Sequence, residues 1–333
     1  MKVLIDHHLP FLLAHGGLQI QIERTKDALE GIGIEAEYLR WWDGSQKGDI
    51  IHFFGRANPS HIEFAHAKGM KYVMSELLTG QGSRKVSQLK VQGAIEKTLR
   101  KVISPTFLAN FRWDSYHKAD ACIFLTAWEA EVARLLFSPP SQRLHVVPNG
   151  VEPEFFLANG SVIERGNDLV CTATITERKR VLELAEAAVT AQVSVRILGS
   201  PYGKQDPYYI RFLALAQQHP QFIHYSSAVS NRDELAHIYK SARGFVLLST
   251  MESLSLSALE AAAAGCPLLL SDLPWAHSSF GNKASYCVVS NNVEHTAAKL
   301  REFHQQAPLL AVPPPPPTWE AVARQLATIY LAL

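Results

Sequence analysis

Short apolar runs alternate with helix-spaced stretches along the whole chain, and that alternation leaves few folds open. Runs at residues 1–6, 34–39, 49–55, 71–75, 121–125 and 144–147 have the length of buried strands. The stretches between them, among them 59–68, 84–101, 107–118 and 127–137, carry helical spacing. Such an order predicts an α/β fold built on a parallel, doubly wound sheet. Pro148, Asn149 and Gly150 break the pattern, and a second series begins near Asp168. Its strands are expected at 168–172, 193–198, 222–224, 245–248, 267–270 and 285–288. A chain of 333 residues is too long for one ordinary core and suits two domains of roughly 150 residues each. The expected division is residues 1–155, residues 156–312 and a closing segment, 313–333, that packs back on the first domain. That segment opens with five consecutive prolines, a stiff spacer, and ends in a helix starting near Trp319.

A net charge of +1 gives no electrostatic reason to expect a nucleic-acid partner. Cys122, Cys171, Cys266 and Cys287 lie far apart in no metal-ligand spacing, so a reduced, cytoplasmic setting is the expectation. No signal peptide is legible and no apolar run reaches the roughly 18–20 residues that span a bilayer. Membrane contact is therefore expected to be peripheral at most. Its candidate is the segment 84–103, where six cations face one acid on an amphipathic helix. A wet surface face explains the same charges.

The stretch 250–267 comes closest to chemistry. Glu252 follows the apolar run Phe245, Val246, Leu247 and Leu248, and Glu260 lies inside the Ala-rich helix stopped by Gly265 and Pro267. Carboxyl ends of parallel strands and the helix starts beside them are where open α/β sheets bind ligands. Eight helical residues rise roughly 12 Å, more than the about 5–9.5 Å at which two carboxylates flank one glycosidic bond. The pair suits two ends of a long polyhydroxylated ligand. Ser257 and Glu260 also form an acceptable capping box, and Glu252 could be a solvated loop acid, so the residues alone leave both readings open.

Other candidates lie at expected strand ends. Gly16 and Gly17 sit between a strand and a helix, where glycine lets backbone approach an anion or simply makes a tight turn. His7, His8 and His15 have no acidic or Cys partner at ligand spacing, so loop histidines are expected rather than a metal site. His52 stands in an apolar run, where a core histidine with a satisfied hydrogen bond is the default. Arg178, Lys179 and Arg180 oppose the dipole of the helix they precede, a cost that phosphate would relieve; pairing with Glu177 and Glu183 is the alternative.

These features together resemble the family 4 retaining glycosyltransferases, glycosyl transferases group 1, with the GT-B fold: two Rossmann-like domains facing across a cleft. The most specific pieces run from Glu252 to Pro267 with Ser271 and Asp272, and from Val146 to Val151; Asp120, Glu129 and the helix at Trp319 add to them. The resemblance implies a retaining, metal-independent transfer of a hexose from a nucleotide-diphosphate sugar, UDP- or GDP-linked, to a hydroxyl of a glycan, lipid or small molecule. No cofactor is implied. It places Glu252 on the sugar and Glu260 on the ribose, with the backbone of Ser253, Leu254, Ser255 and Leu256 at the sugar or diphosphate. Arg178 and Lys179 match the basic pair on the diphosphate, and Gly16 and Gly17 the glycine loop approaching it. His52 and Glu76 are carried as further substrate-binding candidates. Three departures stand out. Ser255 replaces a common Gly, Thr174 lies near the place of a common Arg, and Glu76 or Leu77 stands where a His is often found. They keep a catalytically impaired, nucleotide-sugar-binding or regulatory homologue in play; a nucleotide-sugar epimerase on the same fold is a further alternative. An NAD-dependent oxidoreductase is disfavoured, because no G-x-G-x-x-G follows a strand.

Overall fold

The structure is a computed structural model that describes residues 1–8, 10–12, 16–104, 107, 109–158 and 164–333. The chain forms two compact units, residues 1–150 with 317–333, and residues 151–316.

In the first unit β1 (Lys2–His7), β2 (Glu35–Tyr38), β3 (Ile50–Phe54), β4 (Lys71–Ser75), β5 (Ala121–Phe124) and β6 (Leu144–Val146) form one sheet in the order β2-β1-β3-β4-β5-β6. Every pairing is parallel. Continuous apolar runs supply strands buried on both faces, as in β4, where Tyr72, Val73 and Met74 are all in the core. The crossovers include α1 (Gly17–Gly31), α2 (Pro59–Ala67), α3 (Val86–Val102) and α4 (Ala127–Phe137). Thr126 and Asn58 cap α4 and α2 through their side chains.

The helix expected at 107–118 is not continuous. Ala109–Phe111 and Ser115–Lys118 are single turns, and Arg112 between them has φ 55°, which no helix accommodates.

Close approach of α3 to α4 depends on Gly93, where a β-carbon would lie 2.4 Å from the Leu135 carbonyl oxygen. Gly93→Ala is therefore expected to lower stability by about 1–3 kcal/mol, even after the roughly 1 kcal/mol of helix propensity that alanine returns. Urea unfolding checks this: the midpoint should fall with the m-value unchanged.

In the second unit β7 (Leu169–Thr172), β8 (Val195–Leu198), β9 (Ile223–Ser226), β10 (Gly244–Leu247), β11 (Leu268–Ser271) and β12 (Ser285–Cys287) pair in the order β12-β11-β10-β7-β8-β9, again all parallel. Read from β9, that is the Rossmann order 3-2-1-4-5-6, whereas the first unit has the flavodoxin-like order extended by one strand. Helices α5 (Val181–Ala191), α6 (Pro207–Gln218), α7 (Arg232–Ser241), α8 (Leu256–Ala263) and α9 (Pro274–Phe280) connect these strands, and α10 (Val293–Gln306) follows β12. All four cysteines are buried free thiols.

After the prolines, α11 (Trp319–Leu331) belongs to the first unit and packs on α1. Gly150 admits it: a β-carbon there would stand 2.5 Å from the Trp319 backbone nitrogen.

Candidate functional site

In an open α/β sheet the loops diverge, and leave a crevice, where strand order reverses. In the second unit that point lies between β7 and β10. The loop after β7 carries Arg178 and Lys179, and the loop after β10 carries Glu252. Thr250 ties the two loops together, its amide donating to the Arg178 carbonyl at 2.8 Å. Glu252 is buried, and both cations reach one of its oxygens: Arg178 Nη1 stands 3.3 Å from Oε1, and Lys179 Nζ donates to the same atom. Arg178 also donates to the Met251 carbonyl at 3.0 Å. Three residues separated by 73 and 74 positions in sequence thus form one cluster. Arg180 does not join it. At φ 53° it turns away, and its guanidinium binds the Ser290 carbonyl and Asn291 Oδ1.

Between Glu252 and α8 the chain bends at Ser253 and Leu254, and Ser253, Leu254 and Ser255 are buried. Ser255, not Ser257, is the N-cap, its Oγ accepting from the Ala258 amide at 3.4 Å. The capping-box reading of Ser257 and Glu260 is thereby corrected. Ser255 sits at φ −71° and ψ 120°, a conformation open to any residue, so serine in place of glycine brings no backbone strain. Leu256 begins the helix, where unpaired amides favour an anion.

Glu260 is buried one turn into α8. Arg232 donates to its Oε1, and Tyr239 Oη stands 3.3 Å from Oε2. Burial raises its carboxyl to about 6 against the pull of Arg232. The same guanidinium reaches Glu152 Oε2 at 3.0 Å and lies 4.6 Å from the centre of the Phe155 ring. Each Glu260 oxygen thus has one of these partners and a second lone pair with which to accept from a ligand hydroxyl.

In the first unit the reversal falls between β1 and β3. Gly16 lies there at φ 149°, the N-cap of α1, with Gly17 as the first helical residue; His15 is outside the described residues. His52 and Glu76, the further substrate-binding candidates, both lie buried in the first unit. His52 is 1% exposed, and both ring nitrogens are taken, Nδ1 by Tyr330 Oη at 2.6 Å and Nε2 by Ser75 Oγ at 2.7 Å. Burial lowers its pKa to about 3, so it is a neutral core residue. Glu76 is buried too, its carboxylate held by Arg56 at 2.9 Å and by the Tyr116 hydroxyl. Arg56 in turn lies over the Tyr116 and Phe137 rings just beyond β3. Arg56 was missed in sequence, although it follows the apolar run and Gly55, where a β-carbon would meet His8 at 2.8 Å. Among the described residues no cluster of three His, Cys, Asp or Glu side chains is placed to hold a metal ion.

A family model, Glycosyl transferases group 1, matches residues 156–311, nearly the whole of the second unit. Those residues form a group 1 glycosyl transferase domain. Compared with curated proteins by sequence, the chain matches none. Among solved structures it is similar to sucrose-phosphate synthase from Thermosynechococcus elongatus at 14% identity and TM-score 0.69, covering 100% of this chain and 99% of the other. It is similar to Anabaena HepE in complex with UDP at 11% identity and TM-score 0.65, covering both chains fully at 100%. A glycosyltransferase from Rickettsia africae aligns at 12% identity and TM-score 0.64, over 99% and 98% of the two chains. At such identities the likeness is one of fold, and the fold is GT-B, with the group 1 domain as its second Rossmann-like unit.

Proposed function

We propose that the chain is a retaining, metal-independent hexosyltransferase, taking a sugar from a UDP- or GDP-linked donor and passing it to a hydroxyl of a glycan, lipid or small molecule. The observation that carries this reading is the gathering of Arg178, Lys179 and Glu252 at the strand-order reversal of the group 1 domain. Negative charge grows on the departing diphosphate, and fixed cations with helix-start amides are the physical means of stabilising it. Lys179 and Arg178 take that role, with the backbone of Ser253, Leu254, Ser255 and Leu256 beside them. Glu252 takes hydroxyls of the transferred sugar, and Glu260 those of the ribose. Gly16 and Gly17 keep the phosphate-approach role that the resemblance gives them. HepE has been solved with UDP and with UDP and glucose, which supports a UDP-hexose as the first donor to try.

A ligand at a hundred times its Kd stabilises by about 2.7 kcal/mol, so the matching nucleotide should raise the melting temperature by roughly 5–10 °C. A panel of UDP-, GDP-, ADP- and dTDP-sugars measures this. Transfer should continue in EDTA, and NMR of the product should show the donor's anomeric configuration kept. A panel in which no nucleotide shifts the melting temperature would overturn the reading in favour of an impaired homologue. An epimerised sugar from donor alone would replace it with an epimerase.

A further inference from the structure

Helix α3 is the largest feature that the transfer chemistry leaves unused. Its buried side is formed by Leu89, Gly93 and Glu96. On an α-helix Val91, Ile95, Thr98 and Val102 fall within roughly 60° of arc on the opposite side. A wet face would put charge there. Instead Val91 is 61%, Ile95 54% and Val102 74% exposed. Beyond the helix Phe107 and Phe111 are also exposed, at 54% and 41%, their rings 5.7 Å apart.

Along one flank, roughly 90° from the core direction, Lys90, Lys97 and Lys101 form a row. All three are exposed, and among the described residues none is in an ion pair. Glu131 of α4, which feels Lys90, is bound by Arg134 through both oxygens. Glu96, the one acid of α3, points inward and accepts from Gln92 at 2.7 Å. The outward face therefore combines an apolar stripe with uncompensated positive charge. Among the described residues no helix is long and apolar enough to cross a membrane.

We infer that α3 is an interfacial anchor, lying flat on an anionic bilayer with Val91, Ile95 and Val102 in the acyl boundary and the lysine row at the headgroups. Apolar burial and attraction to anionic lipid act together on such a face, while either alone is weak. The complementary charge selects the occupant: a neutral surface would use the stripe and leave the lysines unpaired.

Sedimentation of the full chain with vesicles tests it, using phosphatidylcholine alone and phosphatidylcholine mixed with phosphatidylglycerol. Binding is expected to the mixed vesicles and not to the neutral ones, weakening steeply as salt is added. The combined Lys90→Ala, Lys97→Ala and Lys101→Ala variant should bind on the order of a hundredfold more weakly. Val91→Ser, Ile95→Ser and Val102→Ser together should weaken binding at least about tenfold. The changed side chains are all exposed, so both variants should melt within about 2 °C of the parent. Undiminished binding by either variant, or no sedimentation with either vesicle, would overturn the inference. A concentration-dependent dimer abolished by the serine variant would overturn it too, assigning the face to a second copy of the chain.

Discussion

Lys179→Ala is expected to slow transfer by on the order of 10²–10³-fold, the cost of removing one preorganised charge from the place where a leaving group's charge develops. Stability should suffer much less. Lys179 leaves Glu252 buried, but Arg178 stays 3.3 Å from Oε1, so the carboxylate keeps a cationic partner and the loss should be about 1–2 kcal/mol. Glu252→Gln separates the roles further. It too should abolish most turnover, yet UDP affinity should hold or rise, because the carboxylate that competes with a diphosphate for both cations is gone. Lys179→Ala should instead weaken UDP at least about tenfold. Calorimetric titration with UDP beside a transfer assay measures both. Parental turnover in both variants would remove the cluster from the chemistry, and equal UDP affinities would remove the assigned division of roles.

Much of the fold was legible because strands buried on both faces are written as unbroken apolar runs, as at Phe245, Val246 and Leu247. Strand order was not, since nothing in those runs says that β3 pairs with β1 or β10 with β7. The segment 107–118 misled for a local reason: its aromatic spacing is helical, and the left-handed turn at Arg112 breaks it without a glycine or proline to announce the break. At the site Glu252 and the cations were legible as separate motifs that the resemblance alone put in one site, and their contact across more than seventy residues was not legible at all. Ser255 and Ser257 are both acceptable caps in sequence. Choosing between them needed the true helix start, and with it Glu260 lost the backbone partner assumed for it. Arg56 was passed over because its carboxylate partner stands 20 residues away. Arg232 hid in the same way, following the capping residue Asn231 as an ordinary first-turn side chain, with partners 28 and 80 residues distant.

Arg232 carries the largest expected stability effect. Its guanidinium binds both Glu152 and Glu260, and Arg232→Ala leaves Glu260 inside the core without that cation. Breaking a buried pair in this way costs about 3–5 kcal/mol. The loss should depend on pH. Glu260 already titrates at about 6, above the ordinary carboxyl value of 4.5, so the folded state binds its proton more tightly than the unfolded state does. The stability that this proton confers is complete below pH 4.5 and is lost as pH rises through about 6, roughly 2 kcal/mol over the interval. Without Arg232, which pulls that carboxyl down, the pKa climbs and the fall extends to higher pH. The gap between parent and variant should therefore widen from near pH 5 to near pH 8, as urea unfolding at each pH would show. Adding Glu260→Gln to Arg232→Ala should close most of the gap, because the uncompensated charge rather than the missing side chain causes the loss. A gap that is flat across this range, or a double variant no more stable than Arg232→Ala alone, would mean that Arg232 holds the unit through its packing on Phe155 and not through the two carboxylates.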